Sequence, residues 1–241
     1  MPTYLLVHGA WHSGQSWARV VPLLGMAGHP VFAPSLTGYG EKAHLLSPEV
    51  GLDTHVDDIV RLIIEEDLTD VILVGHSYSG LVISGAANQV PDRIAHLVYL
   101  DAMVPEDGET AADVLPVTQT MIDLAAQSGH RWRIPPPPEQ PPPAGLFGVT
   151  DPADLAWLRT MTSDQPVRCL QQPAHLDNPA LTAVPRTHIH CTGFQPAGIT
   201  RRPVPAFQPN GAPAQVWELP TGHDCMITMP DELANLLLKL A

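Results

Sequence analysis

Charge is scarce in this chain, and positive charge is scarcest. Only 15% of the 241 residues are charged, with 12 Lys and Arg against 25 Asp and Glu, for a formal net charge of −13. Phosphate binding needs a basic stripe. The adjacent Arg201 and Arg202 are too small a cluster to supply one. The balance argues against a nucleic-acid partner and reads as a solvated acidic surface. Cysteine is scarce too, with Cys169, Cys191 and Cys225 alone. An odd count at these spacings fits neither a disulfide framework nor a metal site. The three read as reduced thiols, which points to a cytoplasmic protein; Cys225, two residues after His223, could line a pocket. Long apolar runs are missing as well. No segment approaches the ~20 apolar residues of a membrane span, and the opening MPTYLLVHGAW has no basic n-region. The expectation is a chain neither exported nor held in a membrane. There is no internal repeat.

What is present is apolar residue content of 44%, enough for a sizeable core. Twelve histidines invite a metal reading, but they are scattered. His188 and His190, the nearest pair, alternate along a predicted strand and lack an evident third ligand, so no metal is expected.

Short apolar runs alternate with helical patterns. Strands are predicted at 3–7 (TYLLV), 30–33, 71–75 (VILVG), 96–100 (HLVYL), 187–191 (THIHC) and 214–218 (AQVWE). Helices are predicted at 16–27, 54–66, 78–89 and 229–240. In the second, Val56, Ile59, Val60, Ile63 and Ile64 fall at helical spacing. Thr54 with Asp57 resembles a capping box there, Asp replacing the usual Glu. Near-continuous apolar strands separated by helices imply an α/β fold with a mainly parallel six-stranded sheet, covered on both faces. The pattern breaks off between 104 and 186. There the tract IPPPPEQPPPAG at 134–145 is neither helix nor central strand. It reads as a stiff connector between helical pieces at 110–128 and 151–170. The chain therefore divides into a core of 1–103 and 187–241 and an inserted helical, proline-rich cap of 104–186. The cap is expected over the C-terminal edge of the sheet, where open α/β sheets bind ligands.

Gly75-His76-Ser77-Tyr78-Ser79-Gly80 follows a predicted strand and opens a predicted helix. That strand–turn–helix setting is what a nucleophile elbow requires, with Ser77 projecting above the sheet. The second glycine of the usual G-x-S-x-G pattern is displaced by one position here. Serine needs a base, and Thr221-Gly222-His223-Asp224 lies after the last strand, where a base belongs. Two backbone N–H groups should stabilise the oxyanion. Tyr78, following the nucleophile, and Ala10, in the loop His8-Gly9-Ala10-Trp11, are the candidates.

With these segments in view, the chain resembles the hydroxynitrile lyase and plant methyl-esterase branch of the α/β-hydrolases, including its small bacterial carboxylesterases. The resemblance rests on LLVHGAWHSGQSW at 5–17, GHSYSG at 75–80, VYLDAMVPEDGE at 98–109 and ELPTGHDCM at 218–226. It reaches both ends of the core; the cap matches loosely. The displaced glycine is typical of that branch. The resemblance implies a catalytic triad whose acid many relatives place just after the strand at 187–191. Here that stretch reads Cys191-Thr192-Gly193-Phe194-Gln195 and has no carboxylate. Asp101, closing the strand 96–100, is the candidate instead, as in some haloalkane dehalogenases of the same fold. The alternative is that Asp101 only braces its loop. The plant lyases carry a threonine where this chain has Gly9, and a lysine after the base where it has Asp224. An acid there would repel cyanide, so hydrolysis is expected over cyanohydrin cleavage.

The sequence therefore implies a serine hydrolase cleaving carboxylic esters of small or medium organic acids through an acyl-enzyme. The catalytic set is Ser77, His223 and Asp101, with Ala10 and Tyr78 as the oxyanion hole. Gly9, Trp11, Met103 and Met226 are expected around a small-molecule ester substrate. No cofactor and no metal are expected. A homodimer is compatible with the sequence. Thioester or lactone hydrolysis, or a lyase or cyclase step of a natural-product pathway, would use the same pocket.

Overall fold

The computed structural model describes residues 1–194 and 199–241. The chain runs β1 (Thr3–Val7), α1 (Val21–Met26), β2 (Val31–Phe32), α2 (Leu52–Glu65), β3 (Val71–His76), α3 (Ser79–Gln89), β4 (Ile94–Leu100), α4 (Ala111–Val114), α5 (Val117–Gln127), β5 (Arg133–Ile134), α6 (Pro152–Met161), β6 (Gln165–Pro166), α7 (Arg168–Gln171), β7 (Arg186–Cys191), β8 (Gln215–Leu219), α8 (Cys225–Thr228) and α9 (Pro230–Leu237), with short 3-10 turns between.

Six of the strands form one parallel sheet in the order β2-β1-β3-β4-β7-β8. Every residue of β1 and β3 is buried, because both faces of the sheet are covered. Alternation sorts their side chains into two cores. Leu5, Val7, Leu73, Leu97 and Tyr99 pack on the face that carries α2 and α3. Tyr4, Leu6, Ile72, Val74 and Leu100 pack on the other, with Leu24 of α1 and Leu233 and Leu237 of α9.

Several local expectations give way to the structure. The predicted helix 16–27 is a 3-10 turn at Gly14–Trp17 followed by α1. Pro22 offers no N–H to a preceding turn, so a fresh helix starts around it. Helix α2 begins earlier than expected, with Gly51 as N-cap, and the Thr54 hydroxyl accepts the Gly51 N–H at 3.1 Å. The early start buries Leu52. Ile64, placed on the apolar face by its spacing, is 52% exposed.

The insertion is less helical than its composition suggests. Pro116 separates α4 from α5, and the second helical piece breaks after α6 into β6 and α7. Strand β6 pairs antiparallel with β5. The tract 134–145 has no helix.

Candidate active site

Ser77 stands between β3 and α3 with a left-handed φ of 57°. A serine adopts that conformation only at a cost, and the surroundings hold it there. Its N–H donates to Leu100 O at 3.2 Å, and its carbonyl accepts from Met103 N at 2.9 Å and Gly80 N at 3.1 Å. These bonds tie the elbow to the end of β4. The displaced glycine has a packing cause. A Cβ at Gly80 would sit 1.9 Å from Met103 O, so position 80 must be glycine for β4 and the elbow to meet. Position 79 tolerates a side chain, because the Ser79 hydroxyl turns inward and donates to Val7 O and His76 O, each at 2.8 Å.

His223 lies on the turn between β8 and α8. Its Nδ1 is 2.7 Å from Asp101 Oδ2. Asp101 closes β4 with a φ of 44°, and its N–H donates to Ile189 O at 2.7 Å. The other carboxylate oxygen, Oδ1, accepts from Cys191 N at 3.2 Å and from the Arg201 guanidinium at 2.5 Å. Burial pushes the Asp101 carboxyl up. The His223 hydrogen bond and the charges of His223 and Arg201 outweigh it and hold the group well below the usual carboxylate range. Asp101 is therefore ionised and oriented on both oxygens. Part of the stretch after β7 where relatives are expected to carry an acid, Gln195, lies outside the described residues; Glu218 on β8 is exposed and not bonded to His223.

Ser77, His223 and Asp101 border one cavity of about 1260 Å³. Ala10 and Tyr78 border it too, and among the described residues neither main-chain N–H donates elsewhere. Trp11 and Met103 line the cavity as expected from sequence. The segment 104–186 contributes Val114, Val117, Met121 and Phe147 to its walls.

Other expectations need correction. Met226 is wholly buried and does not border the cavity, because α8 turns it into the core with Ile227 and Leu233. Cys225 is likewise buried in that core. Gly9 lies beneath the nucleophile rather than on the cavity wall; a Cβ there would come 2.8 Å from Ser77 Cβ. Asp224 also does not border the cavity. It is fully buried and takes His12 Nε2 at 2.8 Å. The expected repulsion of cyanide by its charge therefore has no direct line to the site.

His12 is a residue that motif reasoning passed over. Its Nδ1 donates to Ala10 O at 2.7 Å while Nε2 faces Asp224. Burial lowers its pKa, but the Asp224 charge and the two hydrogen bonds outweigh this and raise it. An imidazolium donating from both nitrogens thus links the carboxylate after His223 to the loop of Ala10. His76, packed 4.4 Å from the His223 ring, is held neutral well below the usual range by burial and the charges of His223 and His12. Its Nε2 donates to His223 O at 3.0 Å and so fixes the base's own backbone. Arg201 is the other residue missed: its proximity to Asp101 spans 100 positions of sequence. None of these pairings leaves a local signal. Among the described residues, no group of three His, Cys, Asp or Glu side chains is placed to hold a metal ion, and no helix is long and apolar enough to cross a membrane.

Residues 4–236 match the alpha/beta hydrolase family. The chain is 38% identical over 253 residues to a carbendazim hydrolyzing esterase of Nocardioides sp. (strain SG-4G), covering all of both chains. It is 35% identical over 117 residues to the alpha-hydroxynitrile lyase of Arabidopsis thaliana, covering 46% of this chain and 44% of that one. Among solved structures, an extracellular alpha/beta-hydrolase from a Paenibacillus species superposes with a TM-score of 0.82 at 24% identity, over 100% of this chain and 99% of that one.

Proposed function

Because the chain belongs to the alpha/beta hydrolase family, in the branch that holds esterases and hydroxynitrile lyases, we propose that it hydrolyses carboxylic esters of small or medium organic acids through an acyl-enzyme on Ser77. The observation that carries this reading is the 2.7 Å contact of His223 Nδ1 with an ionised Asp101, at a cavity that Ser77 also borders. His223 takes the Ser77 proton as the hydroxyl attacks the ester carbonyl. Asp101 holds the ring in the tautomer that leaves Nε2 free to do so, and it stabilises the imidazolium that forms. The Ala10 and Tyr78 N–H groups receive the oxyanion. His223 then protonates the leaving alcohol and activates the water that frees the acid. The insertion supplies a lid whose apolar walls seat the rest of the substrate. No step calls on a cofactor.

Hydrolysis is favoured over cyanohydrin cleavage by Gly9, which puts no hydroxyl beside Ser77 where the plant lyases are expected to carry a threonine. The test is Ser77→Ala, assayed on p-nitrophenyl acetate, with carbendazim as the second substrate because the esterase relative is named for it. Losing the nucleophile should lower kcat by ~10⁴-fold or more with the fold retained. A variant that keeps full activity overturns the mechanism.

A further inference from the structure

The cavity does not stop at Ser77. It continues along one face of β7, where Arg186, His188 and His190 stand two residues apart and all border it. Tyr99, opposite His188 in the sheet register, stacks on the His188 ring at 5.3 Å. A parallel pair such as β7 and β8 is usually joined by a helix lying on the sheet. Among the described residues of 192–214 there is no helix. Gln208 fastens this segment to the sheet, accepting from Arg186 N at 2.8 Å and donating to Pro213 O at 3.0 Å. Proline-broken chain fills less space than a helix would, and the cavity runs beneath it past Val204 and Phe207.

Among the described residues, the side chains of Arg186, His188 and His190 have no hydrogen-bond partner. His188 is only 8% exposed. Among the described residues, neither ring nitrogen of His188 or His190 makes a hydrogen bond; their ring contacts are with Tyr99 and with each other. Arg186 Nε is buried without a partner, and no described carboxylate lies within ion-pair reach of that guanidinium. Buried polar groups are normally paired. Arg186 Nε is such a group, and the unpaired imidazole nitrogens of His188 and His190 open on the cavity, so this wall offers donors to a partner that is not protein.

Charge is graded along the wall. His190 lies in the field of Asp101 and Glu218 as well as Arg201. His188, one step further from the triad, feels only His190 and Arg186. Burial and those two neighbours hold it down at about 4, so it is a neutral imidazole with an N–H to give. Arg186 is permanently charged and forks toward carboxylates. At His190 the Arg201 charge opposes those of Asp101 and Glu218, whereas at His188 the Arg186 charge acts with no carboxylate beside it, so an anion is attracted at the far end. Four steps along the strand, about 13 Å, take His190 to Arg186.

We propose that Arg186 and His188 form an anion subsite at the far end of the cavity, which takes a carboxylate carried by the substrate away from its scissile ester. The inference rests on the ester-cleaving reading above and narrows it to half esters of dicarboxylic acids and similar ω-carboxylates. The guanidinium pairs with the carboxylate and the His188 N–H donates to it, while the apolar chain crosses the Tyr99 and Val204 region.

The experiment compares kcat/KM for monomethyl and dimethyl esters of the series from succinate to sebacate. The half ester should be preferred by about tenfold or more at one chain length, with the preference falling away on either side. In Arg186→Gln the ratio of half ester to diester should fall to about one, and Arg186→Lys should restore part of it. Diesters cleaved as well as half esters at every length would overturn the subsite, as would a preference that survives Arg186→Gln. If no ester is cleaved, the ester reading fails separately. Calorimetric titration with suberate then tests the subsite without turnover: binding by the wild-type protein that is lost in Arg186→Gln supports it, and equal binding or none overturns it.

Discussion

Asp101 is gripped on both carboxylate oxygens, by His223 on one and by Cys191 N and Arg201 on the other. A residue that merely braced a loop would not need an ionised carboxylate aimed at an imidazole Nδ1. Asp101→Asn keeps the size and most hydrogen-bond capacity but can favour the wrong histidine tautomer. It should lower kcat by ~10³–10⁴-fold while KM changes little. A variant retaining more than a tenth of the wild-type kcat would reduce Asp101 to a loop brace. Arg201 bears on the same point. By occupying Oδ1 it leaves Oδ2 alone to face the base, so the carboxylate cannot rotate to share itself.

The loops matter as much as the strands at the next scale. The Asp224 N–H donates to Phe147 O at 3.0 Å, and its carboxylate takes His12, whose other nitrogen holds Ala10 O. One buried ion pair thus joins the loop after β1, the turn after β8 and the insertion. Removing Asp224 takes away the charge that raises the His12 pKa, so the imidazole sheds its proton and loses a buried hydrogen-bond partner, which costs about 1–3 kcal/mol. Asp224→Ala should lose that much stability in urea melts, and a loss below about 1 kcal/mol would show the pair to be dispensable. Nothing in the sequence pointed to this pair, and the reason is physical. The central strands β1 and β3 were legible because parallel strands buried on both faces must be apolar runs. Ser77 was legible because a left-handed turn between strand and helix demands small neighbours in a fixed order. His12 and Asp224 are 212 positions apart, and a polar pair needs only to meet, so it leaves no periodic trace. Helix ends were misplaced for a similar reason. Burial of Leu52 extends α2 ahead of the Thr54 that local propensity favours as its start.

For the whole molecule, the histidines matter through burial rather than through metal chemistry. His8, His55 and His76 are fully buried, and burial, their largest perturbation, lowers all three: His8 to about 3, His55 to about 4 and His76 well below its usual range. His96 and His188 are also brought down to about 4, by burial first. A histidine whose folded pKa is depressed is neutral in both states above the unfolded value of about 6.5, and has no effect there. As pH falls below that value, the unfolded chain takes up protons that the folded one refuses, and stability drops until the folded pKa is reached. Each fully buried ring costs about 1.4 kcal/mol per pH unit in this window. Three together cost about 4 kcal/mol per unit, against a total stability of about 5–15 kcal/mol. The raised pKa of His12 works in the opposite sense: its contribution is complete below about 6.5 and is lost as pH rises through its folded value. It cannot offset the acid loss, because it is already fully expressed there. The depressed Asp101 adds a further loss only below about pH 4. Calorimetric scans should therefore show Tm falling steeply from pH 6.5 to 5, with unfolding near pH 5 taking up about three or more protons. A Tm that stays level down to pH 4.5 would mean that these rings are protonated, or hydrated, inside the folded protein.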